Sequence, residues 1–346
     1  MTDFFLEKGC ALLVEDASLR YYFSSVSLAE GLLIKTSKDS IYFTDARYYY
    51  AFKEELKNTS ITAKLYTSLD DVKLILKDLG VNKLYIDYDT VTLTRFNEYK
   101  SLEVQLEDAS LALKKLRSIK SQIEQENIKI ASQMALDCFN YILPYLKKGV
   151  TEIAIRNRMA RFMKKHGTTE AFETIVAFGA NSAVPHHVTG KTKLKENQAV
   201  LFDFGCLHNG YCSDITRTVF YGTPNEKFIS AYELVKNAHI IAKENITNFT
   251  TCAVADRFAR DYFAKHSKAE YFKHSLGHGV GLEIHEYPTL SKRSDASLKN
   301  DMVFTIEPGL YFDGEFGIRI EDTVVLKEGK VVSLMPSNKD LIIIKN

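Results

Sequence analysis

The spacing of apolar and polar residues predicts short strands and helices along the whole chain. In the N-terminal third, two largely apolar runs at residues 31–37 and 41–44 flank a polar turn at residues 38–40, which is typical of a β-hairpin. Residues 70–80 begin with two acidic side chains, continue as an amphipathic segment and end in glycine, so we predict a helix there. Residues 84–87 are predicted to form a further strand.

After residue 118 the pattern predicts a pair of helices followed by strands, and this order occurs twice. The predicted helices are 118–146, 152–166, 225–245 and 252–266. Pro144 is expected to bend or end the first of them, and Thr151 to cap the second. The predicted strands are 173–178, 199–204, 211–220, 302–306, 317–326 and 330–334.

This order favours an α+β fold for the second part over a doubly wound sheet, because helices and strands do not strictly alternate. Alternating short strands and helices characterise the first part instead. A chain of 346 residues is long enough for two domains. We therefore predict a smaller α/β domain at residues 1–118 and a larger α+β domain at residues 119–346.

The composition is that of a globular protein, with 45% hydrophobic and 26% charged residues. Lys and Arg number 45 against 44 Asp and Glu, and a net charge of +1 gives no general attraction to nucleic acid or an anionic membrane. No apolar run approaches the roughly 20 residues that span a bilayer, and the start lacks the basic region of a signal peptide. We expect no nucleic-acid or membrane partner and a cytoplasmic location.

The spacing of the cysteines and the distribution of histidine and glycine add two further predictions. The 5 cysteines are widely spaced without a C-x-x-C pair, which favours reduced thiols, and Cys206 and Cys212 are expected to be small buried residues. All 9 histidines, and all but three of the 17 glycines, lie after residue 118, so the second domain is predicted to carry the chemistry. Three of these histidines, His208, His239 and His266, are expected at the surface.

Two acidic residues occupy segments that should be buried. Asp203 lies within the apolar run V-L-F-D-F, and burying an unpaired carboxylate is very costly. Asp214 follows in Y-C-S-D-I-T-R-T. Two adjacent strands joined by a loop at residues 208–210 would place these carboxylates opposite each other across a hairpin, where they would repel unless a metal lay between them.

Three further segments complete the candidate metal site. His278 lies among glycines in H-S-L-G-H-G-V-G-L-E-I-H-E, which is not the H-E-x-x-H motif of zinc peptidases. Glu307 lies in F-T-I-E-P-G-L-Y, and Glu321 lies in G-I-R-I-E-D, where strand alternation would place Arg319 on the same face. Four carboxylates and one imidazole can neutralise two divalent cations, and this oxygen-rich set suits manganese, iron(II), cobalt or zinc. Two metals about 3.5–4 Å apart form a hydrolytic site that polarises a carbonyl group.

The ordered motifs D-F-G, Y-x-S-D-x-T-R-T, G-H-G-x-G-L-x-x-H-E, T-I-E-P-G and R-I-E-D resemble the proline-specific metallopeptidases of the pita-bread fold, aminopeptidase P and prolidase. The resemblance covers residues 118–335 and extends more weakly to F-T-D-A-R-Y at residues 43–48 and to the linker at 116–120. It implies a pita-bread catalytic domain, preceded by a creatinase-N-like domain that serves substrate access and subunit contacts.

The resemblance implies a role for each matched residue. Asp203 would bind one metal, Asp214 would contact both, His278 would bind one, and Glu321 would bridge the pair. Glu307 would bind metal and also accept the proton of the attacking water. Manganese is the first expectation for the two ions, with cobalt, zinc and iron(II) as alternatives.

The same resemblance implies a substrate pocket. His186 matches a histidine that lines this pocket, and His285 and His274 match two that contact the scissile carbonyl and the substrate. Arg319 matches an arginine that positions Glu321 and the pocket, and Tyr311 matches a tyrosine of the pocket wall. For His187 no role is implied beyond that of a neighbour able to take the place of His186.

The predicted activity is hydrolysis of the Xaa-Pro bond in proline-containing peptides, with release of the N-terminal residue by an Xaa-Pro aminopeptidase. An Xaa-Pro dipeptidase, or prolidase, is the alternative, and family analogy implies a homodimer. Three other functions within this fold are less favoured. A methionine aminopeptidase typically lacks the first domain, creatinase needs no metals, and a non-catalytic binding protein of this fold would usually lose ligands.

Overall fold

The computed structural model describes residues 7–26, 30–336 and 338–345. The chain forms two compact units, Met1–Leu116 and Arg117–Asn346. Both units combine helices with strands, and the second consists of helix pairs followed by mostly antiparallel strands. This arrangement agrees with the α/β and α+β characters that the residue pattern predicts.

The first unit is built around one six-stranded sheet. Its strands are β1 (Cys10–Val14), β2 (Leu32–Lys35), β3 (Ser40–Thr44), β4 (Ile61–Leu65), β5 (Lys83–Ile86) and β6 (Gln105–Asp108). Its helices are α1 (Ala17–Ser24), α2 (Tyr49–Glu55), α3 (Leu69–Asp78), α4 (Leu93–Tyr99) and α5 (Ser110–Ser118), the last of which includes the boundary between the units. The strand order is β4-β3-β2-β1-β5-β6, and β2 and β3 form the predicted hairpin.

The sheet of the first unit has a hydrophobic cluster on each of its two faces. Successive residues of a strand point to opposite faces, so neighbours in sequence belong to different clusters. Leu13 belongs to one hydrophobic cluster, whereas Leu12 and Val14 belong to the other. Helix α3 contributes Val72 to the first cluster, and α2 contributes Phe52 to the second.

The second unit contains four long helices and fourteen strands among the described residues. The helices are α6 (Gln122–Ile142), α7 (Glu152–Lys165), α8 (Glu226–Asn245) and α9 (Cys252–Lys265). The strands are β7 (Thr169–Glu170), β8 (Ile175–Phe178), β9 (Gln198–Phe204), β10 (Cys206–His208), β11 (Tyr211–Cys212), β12 (Ile215–Tyr221), β13 (Gly277–Gly279), β14 (Glu286–Leu290), β15 (Val303–Ile306), β16 (Gly309–Phe312), β17 (Phe316–Arg319), β18 (Asp322–Lys327), β19 (Lys330–Ser333) and β20 (Ile343–Ile344).

Each half of the second unit packs a helix pair on one sheet. The sheet β20-β12-β9-β8 shares a hydrophobic cluster with α6 and α7, and the sheet β14-β13-β15-β18-β19 shares another with α8 and α9. The first cluster includes Phe139, Met159, Phe202 and Val219, and the second includes Val235, Phe263, Phe304 and Val324. Helices packed on one face of an antiparallel sheet leave the strand ends free to carry polar residues.

Two strands that the pattern predicts as continuous are interrupted, and both breaks lie at candidate ligands. Strand β11 ends at Cys212 and β12 begins at Ile215, so Asp214 lies between them. Likewise β17 ends at Arg319 and β18 begins at Asp322, which leaves Glu321 between strands. At both breaks the backbone bonds to another segment: Asp214 N–H donates to Thr323 Oγ1 and Glu321 N–H to the Thr216 carbonyl. The prediction of unbroken strands was therefore wrong at these points.

The long helix predicted over residues 118–146 is confirmed, but its bounds are narrower than predicted. Helix α6 starts after Ser121, whose side chain forms a capping box with Glu124. Before this cap, Ile119 forms a β-bridge with Met302 and the Lys120 N–H donates to the Asp301 carbonyl, so these residues pair with another segment instead of extending the helix. The helix ends at Ile142 and continues into a short 3-10 turn that contains Pro144.

One expectation about surface histidines fails, and the expectation about cysteines holds. His239 is fully buried because it lies on the apolar face of α8 with Val235 and Ala242, so its predicted exposure was wrong. All five cysteines are free and buried, Cys206 and Cys212 among them as predicted. Among the described residues, no helix combines the length and apolar character needed to cross a bilayer.

We expect Phe202→Ala to lower the free energy of unfolding by about 3–5 kcal/mol, because the substitution leaves a cavity in a closed core. Phe202 is fully buried, and its ring packs edge-on against Phe139 with centroids 5.9 Å apart. Urea denaturation measures the loss. Ile123→Ala is the control, since this side chain is 77% exposed and its truncation should cost less than about 0.5 kcal/mol. Equal losses in the two variants would contradict this core.

Candidate metal centre

Strand ends bring the predicted ligands together from both halves of the second unit. Asp203 lies in β9, His278 in β13, Glu307 directly after β15, and Asp214 and Glu321 in the two strand breaks. One potential ligand atom from each of Asp214, His278 and Glu321 lies within 4.8 Å of the others. Residues from segments distant in sequence therefore meet at one point.

The orientation of His278 indicates a cation. Its ring Nδ1 lies 3.1 Å from the Gly279 carbonyl, which assigns the proton to Nδ1 and leaves a lone pair on Nε2. Nε2 then faces two carboxylate acceptors, at 3.5 Å from Asp214 Oδ2 and 3.6 Å from Glu307 Oε1. A lone pair directed at two carboxylates is unfavourable without a positive charge between them.

Glycines place this histidine by allowing close backbone contact. A Cβ atom at Gly277 would lie 2.0 Å from the Thr305 carbonyl oxygen, and one at Gly279 would lie 2.4 Å from the Tyr287 carbonyl oxygen. Neither position can hold a larger residue unless the backbone moves. The glycines that flank His278 therefore let β13 pack against its neighbours.

The carboxylates of the centre repel one another. Burial, and next the charge of Glu321, raise the pKa values of Asp214 and Glu307 well above the ordinary range. Burial and the charge of Asp203 raise the pKa of Glu321 to about 7. Asp214 Oδ1 is buried and has no hydrogen-bond partner in the part of the chain that the structure describes. This donor set therefore fits bound cations, which would favour the ionised carboxylates.

Asp203 differs from the other ligands because an arginine already contacts it. Burial raises the pKa of Asp203 and Arg319 opposes that rise, with Arg319 Nη2 at 2.5 Å from Asp203 Oδ2. In the β9–β12 ladder, Asp203 pairs with Thr216. The predicted antiparallel strands around the 208–210 turn are confirmed, because His208 pairs with Tyr211, but the expectation that Asp203 and Asp214 lie directly opposite each other was wrong, since Asp203 faces Thr216.

Arg319 connects the candidate ligands to the predicted pocket. Its Nε donates to Thr216 Oγ1 at 2.8 Å, and its Nη1 donates to the Tyr311 hydroxyl at 2.9 Å. Thr216 Oγ1 in turn donates to Glu321 Oε2 at 2.6 Å. The shared face predicted for Arg319 and Glu321 does not form, because the strand ends at Arg319, and Thr216 connects the two side chains instead.

The predicted pocket histidines surround the same carboxylates. His274 Nε2 accepts from the Tyr311 hydroxyl at 2.7 Å, and its Nδ1 lies 3.8 Å from Glu307 Oε2. The His285 ring packs edge-on against His278, with centroids 4.3 Å apart. His186 is exposed, and its charge acts on the pKa values of Asp203 and His285. The structure thus places His274 and His285 beside candidate ligands, whereas His186 is related to them only through the effect of its charge.

Burial keeps two imidazoles neutral. It lowers the pKa of His274 to about 3 and that of His278 to about 4. It also lowers the pKa of His285, to which the charge of His186 adds. Neutral imidazoles can bind metal or form directed hydrogen bonds near neutral pH.

The sequence reasoning missed a second buried ion network directly behind the centre. Asp322 accepts from Arg217 Nη2 at 2.7 Å, Lys339 Nζ at 2.7 Å and Ser333 Oγ at 3.0 Å. Although burial alone would raise the pKa of Asp322, Arg217 and the other nearby cations lower it. Adjacent Glu321 forms no ion pair with a cation among the described residues, and although the charges of Arg319 and Arg217 lower its pKa, burial and the charge of Asp203 raise it more. Thr216 and Arg217 lie in the Y-x-S-D-x-T-R-T motif, so this motif is the feature of the sequence that could have indicated the network.

Comparison with known proteins shows a relationship over nearly the whole chain. Residues 126–328 match metallopeptidase family M24, and residues 7–119 match the creatinase/prolidase N-terminal domain. An uncharacterized peptidase, YqhT, of Bacillus subtilis (strain 168) is 33% identical, and the alignment covers 96% of this chain and 95% of that protein.

Solved structures show the same fold. An Xaa-Pro dipeptidase from Bacillus anthracis is 34% identical with a TM-score of 0.92, over 96% of this chain and 95% of that one. An X-Pro aminopeptidase from Thermotoga maritima MSB8 is 30% identical with a TM-score of 0.90, over 96% and 97%. A prolidase from Pyrococcus furiosus is 33% identical with a TM-score of 0.87, over 95% and 96%. The expected pita-bread fold with its creatinase-N-like first domain is confirmed.

We expect Asp214→Asn to remove metal-dependent stabilisation without destabilising the chelator-treated protein. In that protein the substitution relieves repulsion from Glu321 and Glu307, so the melting temperature should stay equal or rise. Added Mn²⁺ at 100 times its Kd should stabilise the wild type by about 2.7 kcal/mol, and the variant much less. Differential scanning calorimetry measures both effects. Exposed Asp261→Asn should retain the full response, and an unaltered response in Asp214→Asn would contradict the centre.

We also expect Glu286→Gln to lower stability by about 3–5 kcal/mol near neutral pH, because it leaves buried Lys120 without its carboxylate partner. Burial raises the pKa of Glu286, but Lys120 and Arg117 lower it more, to below its ordinary 4.5. The contribution of ionised Glu286 to the free energy of unfolding is therefore lost as the pH falls from about 4.5 through the lower folded-state pKa. The difference in stability between the wild type and Glu286→Gln becomes smaller over the same range.

Urea denaturation of both proteins between about pH 3 and pH 7 measures the stability difference above and below the pH at which it should begin to fall. Glu315→Gln is the control, because Glu315 pairs with Lys227 while about half of each side chain is exposed, and it should cost less than about 1 kcal/mol. A stability gap for Glu286→Gln that stays constant over this range would contradict the assigned ion pairs.

Proposed function

Since this chain belongs to metallopeptidase family M24, we propose that it hydrolyses the peptide bond before proline and releases the N-terminal residue, as an Xaa-Pro aminopeptidase. The chain is a metallo-exopeptidase, and Xaa-Pro specificity is what several similar structures carry in their names. The observation that carries the proposal is the meeting of Asp214, His278 and Glu321, whose potential ligand atoms all lie within 4.8 Å of one another.

We assign two divalent cations to the centre, because four carboxylates carry the charge that two such ions balance. The residues that would hold them are Asp203, Asp214, His278, Glu307 and Glu321, with manganese first and cobalt, zinc or iron(II) as alternatives. When bound, such ions supply positive charge to these carboxylates, acidify the attacking water and polarise the scissile carbonyl.

Glu307 is proposed to move the proton. Its carboxylate accepts a proton from the attacking water while the water oxygen bonds to the carbonyl carbon. The carbon–nitrogen bond then breaks, and Glu307 returns the proton to the proline nitrogen, which leaves with the bonding electron pair.

The pocket histidines are proposed to hold the substrate. His285 is placed to stabilise the oxygen of the scissile carbonyl, while His186 and His274 contact the rest of the peptide. The hydrogen bonds from Arg319 to Tyr311 and from Tyr311 to His274 fix the orientation of the last imidazole. A bond before proline has no N–H group, so a site of metals and imidazoles suits it better than recognition by backbone pairing.

An Xaa-Pro dipeptidase is the second candidate, and two of the similar structures favour it. The proteins from Bacillus anthracis and Pyrococcus furiosus are named an Xaa-Pro dipeptidase and a prolidase. The two activities share one centre and differ in whether the pocket accepts residues beyond proline. The homodimer, the cytoplasmic location and the role of the first domain in substrate access and subunit contacts stay predictions.

We expect the purified protein with Mn²⁺ to cleave Xaa-Pro-Yaa peptides before proline and to lose this activity in a chelator. Liquid chromatography of products from matched Xaa-Pro and Xaa-Pro-Yaa substrates distinguishes the candidates, because a dipeptidase cleaves only the first. His278→Ala should lower kcat/KM by at least about 100-fold, since it removes the nitrogen ligand.

His266→Ala is the matched control, because His266 is exposed at the end of α9 and should leave kcat/KM unchanged. Activity that persists in the chelator, or in His278→Ala, would refute the assigned centre. Cleavage of the Xaa-Pro dipeptide alone would replace the aminopeptidase proposal with the dipeptidase.

A further inference from the structure

A buried carboxylate outside the metal centre organises the segment that carries His186. Glu152 is the first residue of α7 and is fully buried. Its side chain accepts four hydrogen bonds, from Phe178 N–H at 2.9 Å, Asn181 Nδ2 at 2.7 Å, His187 Nε2 at 3.0 Å and Gly190 N–H at 3.0 Å. All four donors belong to the segment 178–190.

The four contacts hold this segment at both ends and in the middle. Oε1 binds the start of the segment at Phe178 and Asn181, and Oε2 binds its later part at His187 and Gly190. The backbone adds to this closure, because Ile153 N–H donates to the Gly190 carbonyl. Each oxygen of the carboxylate therefore binds a different part of the segment, and the side chain holds the two parts together.

The segment also contacts the strand that carries Arg319. Ser182 Oγ accepts from Gly317 N–H at 2.8 Å, and a Cβ atom at Gly317 would lie 1.9 Å from the Ser182 carbonyl oxygen. Next to His186, the Pro185 carbonyl lies 3.5 Å from Arg319 Nη1. His186 itself is exposed, so its direction depends on the backbone on either side of it.

We propose that Glu152 is a positioning residue for substrate binding, which acts by fixing the segment 178–190 and thereby the place of His186 in the pocket. The inference rests on the proposed function, in which His186 contacts the peptide. Glu152 does not touch the substrate. His187, which has no role of its own at the centre, serves as one of the four donors to this carboxylate.

Glu152→Gln tests the proposal because it keeps the shape of the side chain and reverses half of its hydrogen bonding. The amide oxygen still accepts from two donors, whereas the amide NH₂ replaces the other oxygen, so one backbone N–H, that of Phe178 or of Gly190, loses its acceptor. We expect KM for an Xaa-Pro-Yaa peptide to rise about tenfold with a smaller change in kcat, because the misplaced His186 weakens binding. The Mn²⁺-induced rise in melting temperature should stay at the wild-type value.

A double-mutant cycle distinguishes positioning from a general loss of stability. If Glu152 acts through His186, Glu152→Gln should raise KM no further in a His186→Ala background. Glu196→Gln, the same substitution at an exposed pair with Lys148, is the control and should leave KM unchanged. If Glu152→Gln fails to fold, His187→Ala carries the same cycle with a smaller rise in KM.

Each remaining result overturns the inference. An unchanged KM in Glu152→Gln, or a rise that multiplies fully with that of His186→Ala, shows that Glu152 serves stability alone. An active wild type with either result leaves the proposed function intact. A wild type that cleaves no Xaa-Pro bond in the presence of Mn²⁺ overturns the proposed function, and the inference with it.

Discussion

Electrostatic repulsion among buried carboxylates is the constraint on which the second unit depends. Asp214, Glu307 and Glu321 approach one another where water cannot screen their charges, and their pKa values rise accordingly. The imidazole of His278 adds a lone pair instead of a proton to the same space. A cluster of this kind is stable in its ionised form only when cations occupy it, which couples metal binding to folding.

The surrounding structure keeps this cluster from collapsing or acquiring other partners. Asp322 is adjacent to Glu321, yet it is paired with Arg217 and Lys339 while Glu321 is left available. Arg319 contacts Asp203 and, through Thr216, also orients Glu321. Neighbouring acidic residues are thus divided into those with a structural partner and those directed at the centre.

Buried polar groups also extend from the centre to the substrate side. The hydrogen bonds from Arg319 to Tyr311 and from Tyr311 to His274 give one pocket imidazole a defined direction. Two other buried carboxylates accept hydrogen bonds from segments that carry proposed pocket histidines. Glu152 binds the segment of His186, and Glu286 binds the segment of His285. A buried carboxylate with several donors is suited to this task, because losing any one contact leaves a costly unsatisfied group.

From the residue pattern follow the candidate ligand types, most of the helices and the division into an α/β unit and an α+β unit. These features depend on local patterns, such as the Thr151 cap, the glycines around His278 and the carboxylates in apolar runs. The folded chain is needed to explain the strand breaks at Asp214 and Glu321, the pairing of Asp203 with Thr216, the burial of His239 and the hydrogen bonds of Glu152. Each of these depends on which distant backbone or side chain supplies a hydrogen bond or an apolar contact, and residue periodicity carries no information about partners so far along the chain.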